Sequence, residues 1–177
     1  MKKIFLFIAA LLFLAGCKDT GSNNESKFAV NIEAGGPSVD FLYRDMDNKP
    51  FRLSEYKGKV VLLYFWRMKC TDCQNELKAI DALHRKYRDR GFLAVSIGAD
   101  SMHSAPLNKV VEFFDREGFT FVKIRDEDGF VAEAYQVMRA PEAYLIDKEG
   151  KIAHVQKGTA DWAAPDKAEL IEKLLSK

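Results

Sequence analysis

Apolar residues fall into short runs that are separated by polar and turn-forming segments. The run VVLLYFW at residues 60–66 is apolar throughout and follows a Lys-Gly-Lys turn, which predicts a central strand buried on both faces. The segment FLAVSIG, from Phe92, predicts a second strand of the same kind. Residues 71–90 predict a helix that ends at Gly91, because apolar side chains recur at spacings of three and four, at Leu77, Ile80, Leu83 and Tyr87.

The remaining segments continue this alternation of strands and helices. Residues 41–56 predict two short strands around an Asp-Asn-Lys-Pro turn, followed by a helical turn at Leu53–Tyr56. Further along we expect a helix from about Pro106 to Gly118, a short strand at FTFVKI, a short helix at 130–135, a hairpin with its turn at 147–150, and a last helix at 166–176. This order indicates an α/β fold with a central mixed sheet flanked by helices.

The N-terminal segment has a different pattern. Lys2 and Lys3 precede an uncharged apolar run over residues 4–15. As a helix this run spans roughly 18 Å, well short of the ~30 Å hydrocarbon core of a bilayer. An export signal has the same order of features, with positive charge first, then a short apolar run, then small residues. A buried core helix that happens to come first is the alternative.

The apolar run ends in Leu-Ala-Gly-Cys, with the cysteine at position 17. This sequence resembles the lipobox of bacterial lipoproteins, which implies that residues 1–16 are a removed signal peptide and that Cys17 carries the lipid. Two or more acyl chains give stable anchoring. A soluble secreted protein with a free Cys17 thiol is the alternative. The segment 17–35 begins with polar residues, and we interpret it as a tether that reaches on the order of 20–25 Å, before a single domain at 36–177.

Composition excludes some function classes. The 177 residues suit one folded domain. The 27 Lys and Arg residues nearly balance 26 Asp and Glu residues, and no basic run is present, so we expect no nucleic-acid partner. The three cysteines cannot all pair within one chain, so at least one has another role.

Cys70 and Cys73 form a Cys-x-x-Cys pair between the first central strand and its helix. A helix N-terminus stabilises an anion, so a thiol there ionises more easily than a free one. The spacing suits Cys70 as the attacking thiol and Cys73 as the resolving thiol. A zinc site is an alternative, but it needs four ligands, and the three histidines are scattered; we therefore expect no metal. A structural disulfide is the other alternative.

The segment GKVVLLYFWRMKCTDCQNEL resembles the active-site region of the TlpA/ResA-like thiol-disulfide oxidoreductases of bacterial envelopes. The upstream segment from Gly36, the segments GFLAVSIGAD and FVKIRDEDGFVAEAYQV, and RAPEAYLIDKEGKI resemble further parts of that family in the same order. The resemblance implies a thioredoxin-like fold with an N-terminal hairpin and a helical insertion.

The resemblance also implies a function and its setting. We expect a lipid-anchored oxidoreductase of the bacterial cell envelope, outside the cytoplasm, on the periplasmic or outer face. Its partners are then the membrane, a disulfide-containing protein substrate such as apocytochrome c, and a membrane electron donor. The family favours a reductant whose redox group is the Cys70–Cys73 pair, with no further cofactor.

Three residues take roles from the resemblance. Pro141 falls at the cis-proline of the family, beside the dithiol, and Ala140 offers backbone groups to an extended substrate. From the sequence alone, a trans proline at the start of a strand is the alternative. Glu76 falls where ResA-like members carry a glutamate near the thiols, and one helical turn from Cys73 it is expected to exchange protons with that thiol. An exposed, solvated carboxylate is the alternative for Glu76.

The chain departs from the family pattern at several positions. Lys69 stands where the family usually has tryptophan before the first cysteine, which makes the substrate-binding surface more cationic. Trp66 is retained earlier, either as groove lining or as part of the core. Tyr64 replaces the buried aspartate of thioredoxins, so that proton relay is absent. Glu142 follows the proline in place of the common threonine and is expected to discourage acidic substrates.

Two other functions share this kind of sequence. A peroxiredoxin-like peroxidase needs a Pro-x-x-x-Thr/Ser-x-x-Cys frame, which residues 66–69 do not supply. A copper-binding module of the Sco type carries Cys-x3-Cys and a distal histidine, whereas this chain has Cys-x2-Cys, and His154 is predicted to be a solvated strand residue.

Overall fold

The computed structural model of the chain describes residues 32–101 and 103–177. The predicted signal peptide, Cys17 and most of the predicted tether lie outside these residues. The described part contains seven strands, which are β1 (Leu42–Arg44), β2 (Pro50–Arg52), β3 (Val60–Trp66), β4 (Phe92–Gly98), β5 (Val122–Arg125), β6 (Glu142–Ile146) and β7 (Ile152–Lys157). Its α-helices are α1 (Thr71–Tyr87), α2 (Leu107–Glu117), α3 (Phe130–Ala134) and α4 (Pro165–Leu175).

Five strands form one mixed sheet in the order β5-β4-β3-β6-β7, and β1 pairs with β2 in a separate antiparallel hairpin. The strands β3, β4 and β5 run parallel, whereas β6 is antiparallel to both β3 and β7. This arrangement confirms the mixed sheet flanked by helices and the N-terminal hairpin. The helix predicted at 71–90 ends slightly earlier: α1 stops at Tyr87, and a 3₁₀ turn continues to Arg90 before Gly91 adopts φ 96°.

Every residue of β3 is buried, because both faces of the sheet are covered. Its alternate side chains from Val60 to Trp66 pack into one apolar cluster with residues of α1, α2 and α4. The intervening side chains, from Val61 to Phe65, pack into a second cluster with the N-terminal hairpin and α3. This packing holds β3 rigidly at the centre of the domain, and it therefore fixes the point from which residues 67–70 continue.

None of the helices within residues 32–101 and 103–177 is long and apolar enough to cross a bilayer.

Candidate active site

The two cysteines lie where the end of β3 meets the start of α1. Cys70 is the N-cap residue of α1, and its Sγ accepts a hydrogen bond from the backbone N–H of Cys73 at 3.1 Å. The two residues form a disulfide with their Cα atoms 5.2 Å apart. A sulfur at the N-cap receives both this N–H and the positive end of the helix dipole, which stabilises a thiolate at Cys70 once the disulfide is reduced.

The two sulfurs differ in their access to solvent. Cys73 is 0% exposed and packs inside the apolar cluster beneath α1. Cys70 is half-buried at the edge of the same cluster. An incoming sulfur atom therefore reaches Cys70 before it can reach Cys73.

Glu76 is buried beneath the first turns of α1, with only 7% of its surface exposed. Its Oε1 accepts the backbone N–H of Ala160 at 3.0 Å, and its Oε2 accepts the indole N–H of Trp162 at 3.0 Å and the hydroxyl of Tyr64 at 3.1 Å. Burial raises the pKa of Glu76, although these three donors oppose the rise. The alternative of an exposed, solvated carboxylate is wrong, because Glu76 points inward and lies beneath residues 160–162.

Tyr64 connects Glu76 to the second cysteine residue. Its hydroxyl donates to Glu76 and also lies 3.4 Å from the carbonyl oxygen of Cys73. Burial and the nearby Glu76 carboxylate raise the pKa of Tyr64, so the hydroxyl keeps its proton at neutral pH. From the sequence, Tyr64 is expected only to replace the aspartate of thioredoxins. The alternation along β3, which turns Tyr64 to the face that packs against α1, is the sequence pattern that indicates its place in the site.

No pattern in the sequence indicates that Trp162 belongs to the site. It lies 86 residues after Glu76 in the chain, in the turn before α4, and reaches the site only because β7 and α4 return to α1. Its indole is 2% exposed, so the ring covers Glu76 as well as donating to it.

The segment before β6 lies beside the dithiol. β6 is antiparallel to β3 with Glu142 opposite Phe65, which brings residues 140–141 to the end of β3. Ala140 is partly exposed and packs against the same apolar cluster as Cys70, whereas Pro141 is buried. The Ala140–Pro141 peptide bond is cis, as the resemblance implies, and the trans alternative is wrong.

Two residues near this segment are more buried than expected. Trp66 is 1% exposed and packs against Phe113 and Phe114, with ring centroids 5.5 and 5.4 Å apart. Its predicted contact with substrate is therefore wrong, because its ring belongs to the core. Glu142 is also buried, accepts the Tyr144 hydroxyl at 2.5 Å, and lies 3.8 Å from the Lys157 ammonium. The expectation that Glu142 repels acidic substrates is wrong for the same reason.

The segment 67–70, which leads into the dithiol, is fixed by two side chains. The buried carboxylate of Asp100, just after β4, accepts the Met68 N–H at 2.6 Å and the Ser104 hydroxyl at 3.1 Å. From the other side, the Gln74 amide donates to the Met68 carbonyl oxygen at 2.6 Å. Lys69 remains exposed, so of the predicted substrate-binding side chains it is the one that faces solvent.

Across residues 32–101 and 103–177, no group of three His, Cys, Asp or Glu side chains is placed to hold a metal ion.

Comparisons with known proteins agree with this geometry. Residues 34–155 match the family model described as the AhpC/TSA family. Thiol-disulfide oxidoreductase ResA of Geobacillus thermodenitrificans is 32% identical over 154 residues, which cover 86% of this chain and 85% of the relative. The thioredoxin-like protein YneN of Bacillus subtilis is 31% identical over 156 residues, covering 86% and 90%.

A solved structure extends the comparison to the fold. The thiol:disulfide interchange protein of the thioredoxin family from Chlorobium tepidum superposes with a TM-score of 0.69 at 21% identity, covering 81% of this chain and 97% of that one. At that identity the likeness concerns the fold, and it supports a thioredoxin-like architecture for the described residues.

Proposed function

Because the chain belongs to the AhpC/TSA family and, within it, to the ResA-like thiol-disulfide oxidoreductases, we propose that it is a membrane-tethered reductant of protein disulfides outside the cytoplasm. The difference between its two cysteines carries this proposal. One sulfur is accessible and caps a helix, while the other is enclosed beneath the helix. This arrangement suits one thiol for attack and the other for release.

The reaction proceeds in two exchanges. In the reduced enzyme, the Cys70 thiolate attacks one sulfur of a substrate disulfide, forms a mixed disulfide and expels the first substrate thiolate. Cys73 then loses its proton and attacks the Cys70 sulfur, which forms the Cys70–Cys73 disulfide and expels the second substrate thiolate. Two electrons and two protons pass to the substrate, and a dithiol donor returns them to the enzyme. The dithiol is therefore the redox group, and no other cofactor is needed.

Glu76 is assigned the proton transfer at Cys73. The carboxyl is buried, its pKa is raised by that burial, and Glu76 lies one helical turn after Cys73 in α1. A buried carboxyl with a raised pKa is suited to accept and return a proton. Glu76 accepts the Cys73 proton as the mixed disulfide is resolved.

The substrate lies across the segment before β6. Ala140 offers backbone groups to an extended substrate chain, and Pro141, which has no backbone N–H, keeps a reactive N–H and metal ligands away from the thiols. Lys69 is exposed and contributes a positive charge directly before Cys70 in the chain. Their positions beside Cys70, through the pairing of β3 with β6, support these assignments.

The setting follows from the N-terminal sequence. Residues 1–16 are assigned as a lipoprotein signal peptide, Cys17 as the acylated residue, and residues 17–35 as the tether to the domain at 36–177. The enzyme then works at the bacterial cell envelope, receives electrons from a membrane donor, and reduces substrates such as apocytochrome c. Labelling with a radioactive fatty acid tests the anchor: the wild type takes up label, and Cys17→Ala does not. Equal labelling of the two proteins contradicts the assignment.

Reduction of insulin disulfides with a dithiol donor tests the activity. We expect turnover by the wild type, none by Cys70→Ser, and none by Cys73→Ser. Turnover by Cys70→Ser contradicts the proposal. To test the alternative of a peroxiredoxin-like peroxidase, the same proteins are assayed for peroxide consumption. We expect background rates, since the chain lacks the Pro-x-x-x-Thr/Ser-x-x-Cys frame.

A further inference from the structure

Two loops lie side by side at the exposed edge of the dithiol. The first is residues 67–70, which connects β3 to Cys70, and the second is residues 138–141, which leads into β6. They are neighbours because β6 pairs antiparallel with β3, with Phe65 opposite Glu142, and each loop continues directly from that pair. We call the exposed part of these loops the rim of the site.

The rim is cationic. Arg67, Lys69 and Arg139 are exposed, and within the described part of the chain none of them makes an ion pair. Lys157 lies close by, since the N–H of the next residue donates to the Pro141 carbonyl, and 73% of its side chain is exposed. The nearby acidic side chain, Glu142, is 5% exposed. Solvent and substrate therefore meet the cations and not the carboxylate.

The rim also carries an exposed apolar side chain. Met138 is 87% exposed, directly before Arg139. A flexible thioether adapts to differently shaped partners, and methionine is common on binding surfaces for that reason. In the loop that leads to Ala140 and Pro141, such a side chain offers an apolar contact to a protein substrate.

The first turns of α1, which begin at the dithiol, lie beside a surface of the opposite charge. A groove beside the first turns of α1 is lined by Asp72, Asn75, Glu76, Thr159, Ala160 and Asp161. Asp72 and Asp161 are exposed there, while Glu76 is engaged with Tyr64 and Trp162. A substrate chain that crosses Cys70 thus meets cations on the rim and carboxylates on the groove side.

From this asymmetry we propose that the enzyme prefers protein disulfides whose cysteine is followed or preceded, on the rim side, by acidic and apolar side chains. This specificity rests on the proposed reductase function and names the substrate class for it. Opposite charges across an interface accelerate encounter and fix orientation more than they add affinity. The preference therefore appears in kcat/KM at low salt and weakens as salt screens the rim.

The test compares two disulfide-looped peptides that differ only in their flanks, one with glutamates and leucine and the other with lysines and leucine. Hydroxyethyl disulfide, which is small and uncharged, measures the intrinsic reactivity of the dithiol. The variants are Arg67→Glu/Arg139→Glu and, as a control with the same change in net charge, Lys57→Glu/Lys173→Glu. The control residues are exposed and lie at the end of the domain away from Cys70.

At low salt we expect the wild type to reduce the acidic peptide about tenfold faster than the basic one, and the ratio to fall to about two at high salt. The rim variant inverts the ratio and keeps its rate with hydroxyethyl disulfide, while the control variant keeps the wild-type ratio. Met138→Ser lowers the rate with the acidic peptide about threefold and leaves the small disulfide unchanged.

Equal rates for both peptides in the wild type at low salt overturn the specificity and leave the reductase function intact. If the rim variant retains the wild-type preference, the specificity is also overturned and the reductase function is left intact. Failure of the wild type to reduce either peptide or hydroxyethyl disulfide overturns the reductase function, and the specificity falls with it.

Discussion

Replacement of Glu76 by glutamine changes the hydrogen bonding beneath α1 while leaving the side-chain size nearly the same. The carboxyl oxygens accept from three donors, two at Oε2 and one at Oε1. A glutamine has one carbonyl oxygen, which can replace Oε2 and keep the Trp162 and Tyr64 donors. Its amide nitrogen then faces the N–H of Ala160, and two donors oppose each other. The variant thus loses one hydrogen bond and leaves a part-buried N–H without an acceptor.

A buried donor left unpaired costs about 1–3 kcal/mol, so we expect Glu76→Gln to lower the free energy of unfolding by that amount near pH 5. The cost depends on pH because burial raises the pKa of Glu76 in the folded protein. The folded state then binds the proton more tightly than the unfolded chain, so the wild type loses stability as pH rises from about 4.5 through the raised pKa. Glutamine has no proton to lose, and the difference between the two proteins shrinks with rising pH.

Urea unfolding of the oxidised proteins at pH 5 and pH 8, followed by tryptophan fluorescence, measures both effects. The control is Glu169→Gln on an exposed position of α4, where we expect a change below about 0.5 kcal/mol at either pH. Equal stability of wild type and Glu76→Gln at pH 5 refutes the hydrogen-bond argument. A difference that grows from pH 5 to pH 8 refutes the argument on the direction of the pKa.

Three further substitutions test other buried side chains of the domain. Burial acts to raise the pKa of Asp81, but hydrogen bonds from Thr120 and Arg85 lower it overall. We therefore expect Asp81→Asn to lower the free energy of unfolding by about 1–3 kcal/mol at pH 7. Equilibrium unfolding measures this difference, which disappears as the pH falls below about 4. Asp100→Ala frees the Met68 N–H, and hydrogen exchange of that amide becomes about tenfold faster or more, whereas an unchanged rate contradicts the role of this carboxylate. Trp66→Ala lowers the free energy of unfolding by about 3–5 kcal/mol, as measured in urea, because it empties a buried site in the core.

The positions of the strands and helices could be predicted because each has a sequence pattern of its own. The apolar run at 60–66 is continuous since both faces of β3 are covered, and the spacing in α1 marks the face that meets the sheet. The dithiol could be placed at a helix N-terminus for the same reason. These features depend on residues that are close together in the chain, so a local sequence pattern predicts them.

The wrong expectations concern exposure. Trp66 lies four residues before Cys70 and was a candidate for substrate contact, but alternation along β3 turns its ring to the face covered by α2. Glu142 starts β6, and its carboxyl turns toward Tyr144 and Lys157 instead of the substrate side. Whether a face of a strand is covered or open to substrate depends on elements that are far away in the chain.

The hydrogen-bond partners of Glu76 could not be predicted from sequence patterns either. The family resemblance and the spacing from Cys73 singled out Glu76, but two of its hydrogen-bond donors come from residues 160 and 162, more than 80 positions later. The return of the chain through β7 and α4 creates that contact. The raised pKa of the carboxyl follows from this tertiary packing and not from the helix itself.

In the proposed reaction, Cys70 attacks the substrate disulfide and Cys73 releases the substrate. The most direct measurement mixes reduced Cys17→Ala/Cys73→Ser with a disulfide-linked dimer of a single-cysteine peptide and analyses the product by peptide mapping with mass spectrometry. We expect one peptide to remain linked through Cys70, because the second sulfur that would release it is gone, and we expect no linked product from Cys17→Ala/Cys70→Ser. A stable adduct at Cys73, or no adduct with Cys70 intact, contradicts the account.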